Sequence, residues 1–130
     1  MKVTRFHTTE AGESRFQEIE IPIDQPRADN FGFTLKQSNA WPSPAIRFVE
    51  LPEGLDQGWH HAPASQIVVV LSGEVEVGTS DGEKRSATAG QAFIADDLTG
   101  KGHVTRVIGG PARVLFVELP KNFDFTRWMP

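Results

Sequence analysis

The run Ile67-Val68-Val69-Val70-Leu71, closed by Ser72-Gly73, constrains the fold of this chain more than any other stretch. Consecutive apolar residues, most of them β-branched, fit a strand better than a helix. Strand side chains alternate between faces, so a strand apolar on both must be buried on both, by a second sheet or by a partner subunit. Just ahead of it stand two adjacent histidines, His60 and His61. Neutral imidazole is the commonest biological metal ligand and titrates near neutrality. A strand holds such a group in place better than a loop does.

The rest of the chain is cut into short pieces by 12 Gly and 9 Pro, which predicts strands and turns rather than long helices. Phe16 to Ile21 alternates and reads as an edge strand. Pro22 to Pro44 is rich in turn formers and carries Phe31, Phe33 and Leu35 at spacing two, as an arm wrapped over the core with one short strand inside it. Ala45 to Leu51 alternates, with Ile46 and Phe48 on one face and Arg47, Val49 and Leu51 on the other. Gly73 is read as ending the central strand, and Glu74 to Thr79 resumes it with Val75 and Val77 inward. Asp81-Gly82 is a hairpin signal. Glu83 to Thr88, Ala92 to Ala95, His103 to Ile108 and Ala112 to Leu119 read as further strands, the last two separated by a turn at Gly109-Gly110-Pro111. Seven to nine short strands with tight turns predict an antiparallel sandwich or barrel. The 130 residues suit one domain, with an N-terminal arm over 1–44, a barrel core over 45–119 and a tail over 120–130.

Composition narrows the function. A net charge of -4 and a pI of about 5.5 argue against nucleic acid or an anionic membrane as partner. With no cysteine, disulfides, thiolate zinc sites and cysteine nucleophiles are excluded. The segment MKVTRFHTTEAGESRF has no apolar core of signal-peptide type, and no run approaches membrane-spanning length, so the cytoplasm is the expected compartment.

Two motifs resemble those of the cupin superfamily, small all-β proteins built as a double-stranded β-helix, or jelly-roll barrel. The family's first motif, G-x5-H-x-H-x3,4-E-x6-G, meets Gly54, His60 and Gly73 at its own spacing. Its second histidine falls on Ala62, beside His61, and its glutamate on Gln66. The second motif, G-x5-P-x-G-x2-H-x3-N, keeps Gly90 and His103 as its ends. Asp96 stands for its proline, Leu98 for its glycine and Val107 for its asparagine, and the histidine arrives late. The resemblance spans Ala45 to Leu119.

In a cupin the ligands point into the barrel. The resemblance therefore implies a constellation of His60, Gln66 and His103, with His61 as a possible substitute. Imidazoles with an amide oxygen suit one divalent ion such as Zn, Ni, Fe or Mn, although Gln in place of a carboxylate removes a negative charge. Neighbours on a strand point to opposite faces, so at most one of His60 and His61 faces inward. Gln66 either ligates or fixes a histidine tautomer. Trp59, Val68, Val70, Phe93, Val107 and Arg47 are the expected pocket residues, with Arg47 meeting either a substrate carboxylate or a structural Asp or Glu. Asp96 and Asp97 read as solvated loop carboxylates, and His7 stays outside the site.

Three functions stay open. One is a metal-dependent isomerase, lyase or dioxygenase acting on a small organic substrate. Another is a metal-independent enzyme with His60 or His103 as general acid or base. The third is a non-catalytic barrel binding a small ligand. The doubly apolar strand and the aromatic tail (Phe123, Phe125, Trp128) predict a twofold homodimer, the competing cover being the Phe31 to Leu35 arm of the same chain.

Overall fold

The computed structural model describes residues 1–129. Its strands are β1 (Lys2–Thr8), β2 (Ser14–Glu20), β3 (Gln25–Ala28), β4 (Thr34–Gln37), β5 (Ile46–Leu51), β6 (Asp56–His60), β7 (Gln66–Gly78), β8 (Lys84–Thr88), β9 (Ala92–Asp96) and β10 (His103–Glu118). One turn of 3-10 helix follows at Phe125–Trp128. All strands but β3 and β4 join one sheet, in the order β2-β1-β9-β7-β10-β5, with β6 also on β10 and β8 on β7. Curled on itself, this sheet encloses a core of Val68, Val70, Val75, Val77, Phe93 and Val114 with their neighbours. The architecture is all-β, as expected for a jelly roll. Among the described residues no helix is long and apolar enough to cross a membrane.

The long antiparallel pair β7–β10 is the spine, and it runs through both expected breaks. Gly73 sits at φ +80, and a Cβ there would lie 2.7 Å from the Pro111 carbonyl oxygen. Opposite it, the register shifts around Arg113. Facing glycines and a proline thus make a bulge that bends the ribbon instead of ending it. The bulge also switches which residues face inward. Val68 and Val70 point in before it and Val75 and Val77 after it, and on β10 Val107 gives way to Ala112 and Val114.

Residues 2–20 are not part of an arm. β1 pairs antiparallel with β2 (Phe6 opposite Phe16) and parallel with β9 (Phe6 opposite Ala95). The strand hid in the sequence because only Val3 and Phe6 are apolar among charged and polar residues. Its parallel partner also lies far along the chain. The wrapping arm is likewise corrected. β3 and β4 pair only with each other, every residue of both is exposed, and Phe31 at the hairpin tip is 84% exposed.

The tail docks on the sheet's outer surface. Phe125 and Trp128 are buried against Val3, Ile19, Ile94 and Leu119. The side chain of Asp124 caps the turn, accepting from Thr126 N at 2.9 Å. Arg5 lies over the Phe125 ring at 4.6 Å, a favourable placement for a cation.

Candidate functional site

The histidines meet through strand pairing. His60 ends β6, His103 opens β10, and the two are direct cross-strand partners, so their side chains share one face. Their ring centroids are 4.3 Å apart with the planes tilted by 54°. Gly102, at φ +76, permits this approach, because a Cβ there would run into the His60 carbonyl. The register slips immediately after His103.

Hydrogen bonds fix both rings. His103 is buried, and its Nδ1 donates to Asp97 Oδ2 at 2.6 Å. Asp97 is itself 0% exposed, and its Oδ1 accepts from the Ala62 backbone N–H at 3.3 Å. His60 Nδ1 donates to the Gly58 carbonyl at 2.6 Å. In each neutral ring the nitrogen left without a proton is then Nε2. Phe6 packs on His103 with centroids 4.6 Å apart. All of this borders a cavity of about 530 Å³ inside the barrel, walled mainly by Phe6, Val49, Val68, Phe93 and Phe116.

The residues expected at the site are placed unevenly. His60, His103, Gln66, Arg47, Val68 and Phe93 all line the cavity. Gln66 fixes neither histidine tautomer, since Asp97 and Gly58 do so. His61 lines the cavity too, at its exposed rim just past the end of β6, so both of the adjacent histidines reach it, and its Nε2 donates to the Gly100 carbonyl at 2.6 Å. Trp59 is 57% exposed and faces away, as strand alternation beside an inward His60 requires. Val70 and Val107 are buried in the core without lining the cavity. Arg47 has the structural partner considered for it, Glu118 Oε2 at 3.8 Å.

Asp96 and Asp97 are corrected from solvated loop carboxylates. Asp96 Oδ2 accepts from Arg5 Nε at 3.0 Å and its other oxygen from the Ser65 hydroxyl, which fastens β1 to β9. Asp97 is the site residue that sequence reasoning missed. A signal was present: Phe93 and Ala95 face the cavity, and the same alternation carried on by one step points Asp97 inward. Phe6 was missed along with the whole of β1.

Residues 47–118 match the family model described as Cupin domain. The chain belongs to the cupin family. Solved structures similar to it include the Cnp3 cupin domain of Schizosaccharomyces pombe, at 16% identity over 92% of this chain and 84% of that one, with a TM-score of 0.50. Others are a putative ethanolamine utilization protein Q of Salmonella typhimurium (17%, covering 94% and 98%, TM-score 0.43) and an RmlC-like cupin of Shewanella frigidimarina (20%, 93% and 89%, 0.40). At these identities the likeness is one of fold. No curated protein matches the sequence.

A cupin's divalent ion needs a donor set, and this cavity supplies a thin one. The His60, His61 and His103 imidazoles, the Gln66 amide and the Glu118 carboxylate line it, but among the described residues no three His, Asp or Glu side chains are grouped to hold an ion. Asp97 is turned onto His103, and Glu118 stands by Arg47. Metal sites with an open catalytic position ordinarily rest on three protein ligands, and none here offsets the dication's charge. The residues of this cupin fit a resident dication poorly. What they do fit is a base held by a carboxylate. A buried carboxylate on Nδ1 fixes the tautomer and balances the ring's charge once Nε2 takes a proton.

Proposed function

We propose that this cupin binds a small organic molecule in its barrel and moves a proton on it without a metal, with His103 as general base and then acid. The observation that carries this reading is the 2.6 Å bond from His103 Nδ1 to the fully buried Asp97, at the wall of an apolar cavity. His103 Nε2 removes a proton from carbon or hydroxyl, the charge on the ring is balanced by Asp97, and the proton returns at another atom or face. Dehydration and epimerisation both have this form. His60, 4.3 Å away, is a second imidazole within reach of the same ligand. The apolar wall selects an apolar body, and Arg47 near the mouth suits an anionic group at its end.

A nitrobenzisoxazole probe tests the base. Such a compound opens, with a colour change, when a base removes its ring proton, and its flat apolar body suits the cavity. We expect saturable opening that chelator leaves unchanged and that His103→Gln lowers by about 100-fold or more, the lower range for a positioned base. Opening that survives His103→Gln overturns the proposal and leaves a barrel that only binds. Opening that vanishes with chelator and returns with a dication favours the metal-dependent reading instead.

A further inference from the structure

Gln66 opens β7 and is only 7% exposed, yet it stands on the cavity wall. Among the described residues its amide makes no hydrogen bond, while Asp97, His61 and Arg47 are committed to His103, Gly100 and Glu118. No fully enclosed side-chain nitrogen or oxygen among those residues lacks a partner. What stays open of the Gln66 amide therefore opens to the cavity. A buried amide without a partner is costly, and folded proteins rarely leave one. A side chain of this kind at a ligand cavity reads as one half of a recognition pair.

Strand register places this amide relative to the base. Phe6, Ala95, Gln66 and Glu118 are successive cross-strand partners on β1, β9, β7 and β10, and all four line the cavity. Phe6 packs on the His103 ring, so the rung leads from the base to Gln66, two strands or ~10 Å from Phe6. Between them stands Ala95, whose methyl group leaves room for a ligand above it.

We infer that Gln66 selects the ligand by pairing edge to edge with a neutral carboxamide or lactam. A side-chain amide carries a donor and an acceptor side by side in one plane, and a second cis amide satisfies both at once. A ketone meets only the donor. Charge narrows the choice further. Gln66 is neutral, and its cross-strand partner Glu118 is a carboxylate on the same wall, which disfavours an anion beside it. Arg47 is more exposed and meets anionic groups farther out, at the mouth. With its amide held by Gln66, the ligand's apolar body lies over Ala95, toward His103. The inference rests on the proposed function only in taking the barrel cavity as the ligand site.

Titrations of the full chain with benzamide, acetophenone and benzoate, followed by NMR, test the selection. The three probes share a ring and differ in the group offered to Gln66. The native protein is expected to bind benzamide about 10-fold or more tighter than either of the others, the worth of one or two buried hydrogen bonds. Gln66→Met, which keeps the side chain's length, is expected to bring benzamide down to the level of acetophenone. The side-chain NH2 signals of Gln66 in the native protein should also move with benzamide, a reading that needs no variant. Benzisoxazole opening plays no part in these readouts, so a protein that prefers benzamide but fails to open the probe keeps this inference and loses the base. A native protein with no preference for benzamide overturns the inference. So does a margin that survives Gln66→Met, or a Gln66 amide signal that benzamide leaves unmoved.

Discussion

The two faces of one sheet have opposite fates. Inside, Val68, Val75, Val77 and Phe93 close on each other, and the polar residues admitted there are tied: His103 to Asp97 and His60 to Gly58. Outside, Ile94 and Ile19 are sealed by the tail, while Ile46 and Phe48 on the same surface lie open. The inner face shows what barrel closure alone accomplishes. The outer face shows that an apolar strand pattern announces burial without naming what does the covering.

The largest effects should separate the sealed positions from the open ones. Phe93→Ala inside and Trp128→Ala in the docked tail should each cost about 3–5 kcal/mol in denaturant unfolding. Phe48→Ala should change stability by about 0.5 kcal/mol or less. A Phe48→Ala cost as large as that of Phe93→Ala would erase the contrast between the faces.

Asp97→Ala sharpens the inner side. It strands the buried His103 Nδ1–H and should cost about 1–3 kcal/mol, with a matching loss of proton-transfer activity on the benzisoxazole probe. Gly102→Ala should be of similar size, about 1–3 kcal/mol, because the β10 start must move away from His60. It should lower probe turnover even though it changes no polar group. Both are read by thermal unfolding alongside probe kinetics.

The smallest effect lies in the turn between β7 and β8. The hydrogen bond from Thr79 holds the Asp81 carboxyl below the usual carboxylate range, helped by the Glu83 backbone and by Arg15. A group depressed on folding contributes stability above its unfolded pKa and loses it as pH falls through the folded value. Asp81→Asn should therefore destabilise slightly near neutrality and make no difference in strong acid. Unfolding curves across that acid range are the check.

The sequence carried the inner face well. Period two on β5, β7 and β9 placed Val49, Val68 and Phe93 as the structure has them, and motif spacing brought His60 and His103 to a common wall. What stayed hidden depended on pairings remote in sequence. β1 is polar along most of its length and is held by a parallel partner some ninety residues away. Asp97 resembled loop because two aspartates stand together before a glycine-rich stretch. Gly73 and Gly109 looked like ends because a glycine that bends a strand and one that stops it share a local signature. The hairpin defeated local reading for another reason: Phe31 and Phe33 predict cover and cannot say whose.

The most direct test is nitrogen-15 NMR of the histidine rings, read in the neutral form of His103. The account predicts a proton on Nδ1 and none on Nε2, with the Nδ1 proton shifted by its bond to Asp97 and restored to an ordinary position in Asp97→Asn. A proton on Nε2, or an Nε2 signal displaced by a metal ion that chelator removes, would contradict it.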